Sequence, residues 1–151
     1  MKIYTDGSCA KNPGPGTWAV IFVPATGPTF SISGKSETDT TNNRMEMTAV
    51  LEGIKAAKRN PDIPPDEKLE VYCDSAYVVN CFKKGWYKKW RQNGWLGSSG
   101  KPVENKDLWE SLLLVVDNVE FVKVKGHADD EYNNLCDELA RKAYGESPPT
   151  D

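Results

Sequence analysis

The sequence predicts an α/β fold: one mixed five-stranded sheet, an antiparallel meander joined to parallel strands, flanked by helices. Three observations predict it. The first 35 residues carry short apolar runs broken by Gly/Pro turns, the remainder alternates helix-period with strand-period segments, and no linker or internal repeat divides the chain. At 151 residues it has the length of one ordinary domain, enough to bury roughly two-thirds of its unfolded surface.

Taken in order, residues 2–9, about 17–24 and about 28–35 read as strands, separated by Asn12-Pro13-Gly14-Pro15-Gly16 and Gly27-Pro28. Over residues 42–59 the apolar positions Met47, Val50, Leu51, Ile54 and Ala57 recur at helical spacing, with Thr40, Thr41 or Asn42 as the N-cap and Pro61 beyond the end. Residues 69–74 alternate as a strand, and 75–82 resume a helical pattern, making a strand-to-helix junction. A basic stretch follows that carries Trp86, Trp90 and Trp95 and is loosened by Gly94, Gly97 and Gly100. Residues 105–117 read as a helix, 119–125 as a strand, and 131–144 as a last helix with Leu135, Cys136, Leu139, Ala140 and Ala143 inward. From Glu146 a frayed tail is expected.

Bulk properties narrow the function. No stretch approaches the ~20 apolar residues that span a bilayer, and Met1-Lys2-Ile3-Tyr4-Thr5-Asp6 has the form of no export leader. A cytoplasmic protein with no membrane role is expected. Cys9, Cys73, Cys81 and Cys136 are widely spaced with no C-x-x-C pair, which fits reduced thiols better than a zinc site or a disulfide framework. The net charge of -3 conceals a segregation: residues 81–106 hold seven basic side chains against one acid, Glu104, a local +6 that leaves -9 for the rest.

Four carboxylates stand out. Asp6 falls near the end of the first strand and Asp74 ends the fourth, at the carboxyl edge where open α/β sheets receive ligands. Tyr4, Asp6 and Ser8 share one side of their strand, as Glu70, Tyr72 and Asp74 do of theirs. Glu46 lies in the opening turn of the first helix, in nearly the direction of Ala57, at the border of the buried stripe. Asp137 is on the last helix.

Each also has an ordinary placement: Asp74 as a helix cap, Asp6 as a turn residue, Glu46 as a partner of the helix dipole, Asp137 as a solvated acid. Singly, none defines a site. Converging together they would repel one another and raise their pKa values unless cations neutralised them. Oxygen donors of this kind suit Mg²⁺ or Mn²⁺ rather than zinc, since no Cys or His lies at metal-ligand spacing. Two such ions about 4 Å apart would activate a water and stabilise the leaving oxygen of an in-line phosphodiester displacement.

One ordered series of motifs goes further. It runs through Thr5-Asp6-Gly7-Ser8-Cys9, Asn12-Pro13-Gly14-Pro15-Gly16, Thr41-Asn42-Asn43-Arg44-Met45-Glu46 and Asp74-Ser75. It continues through Trp86, Trp90, Gly94-Trp95, Asn105-Lys106-Asp107-Leu108-Trp109, Lys125-Gly126-His127-Ala128 and Cys136-Asp137-Glu138-Leu139-Ala140. With these the chain resembles the type 1 ribonuclease H family over nearly its whole length. Any one motif is weak; the ordered series is specific.

The resemblance implies an RNase H-like fold and endonucleolytic hydrolysis of the RNA strand of RNA/DNA hybrids, leaving 5′-phosphate and 3′-hydroxyl ends. It implies a catalytic set of Asp6, Glu46, Asp74 and Asp137 holding two Mg²⁺ ions, with Mn²⁺ as an alternative and water as nucleophile. Residues 1–145 would be the catalytic domain, 83–106 its basic protrusion and 146–151 a flexible tail, in a monomer. His127, the only histidine, resembles the family's mobile-loop histidine, which assists proton transfer or product departure; its plainer reading is a lone loop histidine.

By the same resemblance Asn12, Asn42 and Asn43 contact the RNA strand, which proteins distinguish chiefly by its 2′-hydroxyl. Thr41 and Asn105 grip a phosphate of the DNA strand, which Trp86 and Trp90 also meet. Ordinary turn and cap duty is the alternative for the asparagines. Lys83, Lys84, Lys88, Lys89 and Arg91 face phosphates, or else form a solvated face over a tryptophan mini-core. Both readings of the protrusion hold together, because lysines alone would not order it.

Departures from the family pattern are Ala76 where some members carry glutamine, Asp39 where some have arginine near the phosphate pocket, and one extra residue between Asp74 and Trp86. The first bears on substrate contacts and the second would weaken grip on DNA. No N-terminal hybrid-binding module is expected, hence low processivity. Two rival readings remain: a catalytically silent nucleic-acid binding module, and an RNase H-fold nuclease acting on DNA.

Overall fold

The computed structural model describes residues 1–9, 13–124 and 131–143. Strands β1 (Lys2–Cys9), β2 (Gly16–Val23) and β3 (Phe30–Lys35) form an antiparallel meander. Strand β4 (Leu69–Cys73) pairs parallel with β1, and β5 (Val119–Lys123) parallel with β4, giving the order β3-β2-β1-β4-β5. Helices α1 (Asn42–Arg59), α2 (Ala76–Lys83), α3 (Trp86–Gln92), α4 (Lys106–Leu113) and α5 (Glu131–Ala143) complete the chain.

Strand alternation explains the layers. Ile3 of β1 joins Val20, Phe22 and Val71 in the larger core, which α1 covers with Met47, Val50, Ile54 and Ala57, and to which α2 and α4 add Val78, Val79, Trp109 and Leu112. Tyr4, one residue on, faces the opposite way with Ala19 and Ile21, against Cys136 and Ala140 of α5. A sheet covered on both faces buries its central strands almost throughout, which is why β2 reads as a nearly continuous apolar run while the edge strand β3 alternates.

Several boundaries differ from the sequence reading, each for a local reason. Strand β3 begins at Phe30 rather than near residue 28, where Pro28 has no amide to donate to a ladder. Helix α4 stops at Leu113, not 117: Val115 N donates to Leu112 O and Asn118 adopts φ 60°, turning the chain into β5 and leaving Leu114 83% exposed. Strand β5 ends at Lys123, two residues short of the expected end. Leu135, expected inward, is 44% exposed, because α5 rests on Tyr132, Cys136, Leu139 and Ala140 and that stripe leaves Leu135 to one side. The expected tail at 146–151 lies outside the described residues.

Helix α3 had no counterpart in the sequence reading. It is seven residues long with none fully buried, so it offers no apolar stripe to read. Gly85 at φ 72° starts it, and the i, i+4 pair Trp86 and Trp90 holds it, Trp90 lying 5.6 Å from Trp109 and 5.8 Å from Trp95.

The first turn of α1 crosses β1 at Gly7. A Cβ at that position would meet Met45 C and O at 2.3 Å and Glu46 N at 2.6 Å. Gly7→Ala is therefore expected to push the helix off the strand and cost about 3 kcal/mol of stability, the upper end of ordinary overpacking, read as a lowered urea midpoint; an unchanged midpoint would mean that this crossing yields freely.

Candidate active site

Parallel pairing of β1 with β4 sets the site. In its register Tyr4 lies opposite Tyr72, and the two rings stack at 4.7 Å. Two residues further along the same sides stand Asp6, within β1 but beyond its pairing with β4, and Asp74, just past the end of β4. Asp74 lies one residue past β4, and it does not cap α2: Ser75 does, its Oγ accepting from Val78 N at 3.3 Å. Asp137 enters from α5. The preceding Cys136 pins that helix to the sheet, its thiol donating to Ala19 O at 3.1 Å.

Glu46 reaches the same edge from the opposite layer. Its side chain is folded inward, the residue only 8% exposed, with Oε1 accepting from Gly7 N at 2.9 Å. Oε2 lies 3.7 Å from Cys73 Sγ, and ligand atoms of Glu46, Cys73 and Asp74 all fall within 4.8 Å of one another.

The crowding registers in the charges. Burial first, then a proton-sharing contact with Asp137 and the charges of Asp137 and Asp74, pushes Asp6 from its ordinary 3.8 up to about 8. Burial, then the charges of Asp74 and Asp6, raises Glu46 well above the usual carboxylate range. Asp137 itself is half exposed and 3.6 Å from Arg141. Asp6 Oδ2 is buried without a hydrogen-bond partner among the described residues. Two carboxylates bond to each other only when a proton is shared, so Asp6 and Asp137 need either that proton or a cation between them. The orphaned oxygen and the oxygen-rich donor set fit a hard divalent cation.

The remaining candidates divide into three groups. Thr41 caps α1, its Oγ1 accepting from Arg44 N at 3.2 Å, while Asn42 and Asn43 are exposed in the first turn and Asn42 Oδ1 accepts from Cys9 N at 2.8 Å. Asn105 sits at φ 62° before α4, where its Oδ1 accepts from Arg44 Nη1 at 3.0 Å and its Nδ2 donates to Tyr77 OH at 3.3 Å. Arg44 thus links Thr41 to Asn105, and a two-armed ion pair with Asp107, at 3.0 and 2.7 Å, steadies it. From Tyr77 a groove of about 740 Å³ continues past Trp86, Trp90 and Lys89. Lys83, Lys84, Lys88 and Arg91 are exposed on the same excursion. Asn12 and His127 lie outside the described residues.

Four residues at the site escaped the sequence reading in any functional role: Gly7, Arg44, Cys73 and Tyr77. Gly7 and Cys73 stand beside candidate carboxylates in the chain and Arg44 beside Asn43, which was a signal of sorts. Tyr77 had none, because its partners Asn105 and Trp109 are about thirty residues away.

Fold and site together define a class, a nucleic-acid hydrolase of mixed α/β build. The family model described as RNase H matches residues 1–144. The chain belongs to the ribonuclease H family. A curated relative from Thermoanaerobacter sp. (strain X514), named Ribonuclease H, is 54% identical over 142 residues, covering 93% of this chain and 86% of its own. The solved structure of LC9-RNase H1, a type 1 RNase H with the type 2 active-site motif, superimposes with TM-score 0.74 at 28% identity, covering 95% of this chain and 71% of that one. LC11-RNase H1, solved in complex with an RNA/DNA hybrid, shares the fold at TM-score 0.67 and 24% identity, covering 94% of each chain.

The raised acid pKa values carry a sign. Asp6 keeps its proton up to about pH 8 when folded but releases it near 3.8 when unfolded. Its contribution is therefore full below about pH 4 and lost as pH rises through about 8. In chelator the urea midpoint is expected to fall across that interval, and Asp6→Asn to flatten the decline. A midpoint that rises from pH 5 to 8 in chelator would contradict the crowding.

Proposed function

We propose that this ribonuclease H cuts the RNA strand of RNA/DNA hybrids internally, leaving 5′-phosphate and 3′-hydroxyl ends, with Asp6, Glu46, Asp74 and Asp137 as ligands of two Mg²⁺ ions. Mn²⁺ is the substitute. The observation that carries this reading is the convergence of carboxylates from separate elements, with one buried Asp6 oxygen lacking a donor among the described residues and with burial and neighbouring acids raising both Asp6 and Glu46. When bound, the ions supply Lewis-acid activation of the attacking water and of the departing 3′ oxygen.

The chain's own residues do the rest. Gly7 N–H orients Glu46, the Tyr4–Tyr72 stack spaces Asp6 from Asp74, and the Cys136 anchor sets the height of Asp137. Asn12, Asn42 and Asn43 are read as the RNA-strand contacts, and Thr41 and Asn105 as a phosphate clamp braced by Arg44. Trp86 and Trp90 offer faces to the DNA strand, with Lys83, Lys84, Lys88, Lys89 and Arg91 for its phosphates. His127 moves a proton or speeds product departure. Residues 1–145 are taken as the catalytic domain, 83–106 as its protrusion and 146–151 as a tail.

A cytoplasmic monomer is the working state we infer. Its support is that Cys9, Cys73, Cys81 and Cys136 are free thiols, as a reducing compartment allows. No helix among the described residues is long and apolar enough to cross a membrane. A silent binding module is disfavoured by the presence of all four acids, since crowding them has an energetic cost that mere binding does not require.

A labelled hybrid incubated with Mg²⁺ is expected to be cleaved and, in chelator, to stay whole; duplex RNA and duplex DNA are expected to survive both. Cleavage that persists in chelator, or that prefers duplex DNA, overturns the reading. Asp6→Asn is expected to abolish turnover while hybrid affinity stays near the parent's. Neutralising Lys83, Lys84, Lys88 and Lys89 should raise KM and flatten its salt dependence by about 0.9 in log–log slope for each phosphate that a lysine no longer neutralises; an unaltered slope would turn the protrusion away from the substrate.

A further inference from the structure

We propose that Cys73 is a positioning residue for Glu46: its thiol holds the free oxygen of that carboxylate, so that the ligand is already aimed when a divalent cation arrives. This rests on the reading of Glu46 as a metal ligand. The thiol is wholly buried on the α1-facing side of β4, and ligand atoms of Glu46, Cys73 and its neighbour Asp74 lie within 4.8 Å of one another. The last residue of β4 and the one that follows it thus supply the brace of one candidate ligand and a second candidate ligand.

Geometry indicates which way the thiol proton points. Cys73 Sγ accepts from Ser75 N at 3.4 Å, while the Thr5 hydroxyl nearby donates to Tyr72 O at 3.4 Å. With Ser75 N–H on the sulfur, the S–H donates elsewhere, and Glu46 Oε2 at 3.7 Å is its acceptor. Gly7 N already occupies Oε1 at 2.9 Å. The two oxygens of Glu46 thus meet a strong backbone donor and a weak thiol, with the Asp74 carboxyl also in contact. A weak donor suits the task, because it restricts the rotamer yet competes little for the oxygen once a cation binds. Partners that orient metal ligands in this way are worth roughly 10- to 100-fold in metal affinity.

The test compares two replacements of matched shape. Cys73→Val and Cys73→Thr suit a strand equally, and only the second keeps a donor. Mn²⁺ is titrated calorimetrically into the metal-free full chain, with Glu46→Gln as the control and thermal melts in chelator as the measure of packing. The valine variant is expected to raise the Mn²⁺ Kd about 10-fold and the threonine variant to stay near the parent, with similar melts for the two. If both bind Mn²⁺ alike while Glu46→Gln binds it weakly, the positioning role is overturned and the ligand reading stands. If Glu46→Gln also binds like the parent, Glu46 is not a ligand and the proposal goes with it. Should the valine chain fail to fold, Cys73→Ala and Cys73→Ser pose the same comparison.

Discussion

Helix α1 crosses strand β1 as closely as it does because Gly7 has no side chain, and that crossing governs the whole carboxyl edge of the sheet. It brings the backbone of Met45 and Glu46 against the strand. It also puts Gly7 N–H within reach of a glutamate that belongs to the opposite layer from Asp6. Without this approach Glu46 would remain on its own side of the sheet, and the acids would form two separate groups. The steric space of one missing methyl thus converts a two-faced sheet into a single pocket.

Crowding charge in this way works against stability, and the rest of the fold is arranged to withstand it. Two cores clamp the sheet from both faces, and buried Tyr4 stacks on half-buried Tyr72 beside the aspartates. Buried thiols directly precede Asp74 and Asp137 in the chain. In both Cys-Asp pairs the first residue is an anchor and the second a charge, so the acid inherits the rigidity of the core without being inside it. The same division recurs farther out, where Arg44 joins the cap of α1 to the start of α4 through groups that are polar yet held.

Much of this was legible in the residues. Helix α1 was readable nearly to both ends, because its apolar stripe is long and a run of cap residues at 40–42 and Pro61 flank it; strand geometry groups Asp6 with Tyr4 and Asp74 with Tyr72, but only the Tyr4–Tyr72 register puts the two acids on matching sides. Helix α3 was not readable, since its stability comes from contacts of Trp90 with Trp95 and Trp109 rather than from a stripe. Leu135 was misplaced because a helix lying on a sheet buries a narrow stripe, and periodicity cannot say where that stripe ends. In the site, residue types were visible while their tethers were not. Which donor meets which oxygen of Glu46, and that Tyr77 bonds Asn105, depend on contacts between segments far apart in the chain.

The acids come from positions 6, 46, 74 and 137, nearly the full span of the polypeptide. A chain leaving the ribosome N-terminus first presents three of them long before α5 is made. The nascent protein therefore passes through a stage in which most of the sheet can form but its pocket lacks a wall. The acid cluster is complete only with α5, so a chain cut short of that helix lacks both Asp137 and the Cys136 anchor that holds it to the sheet.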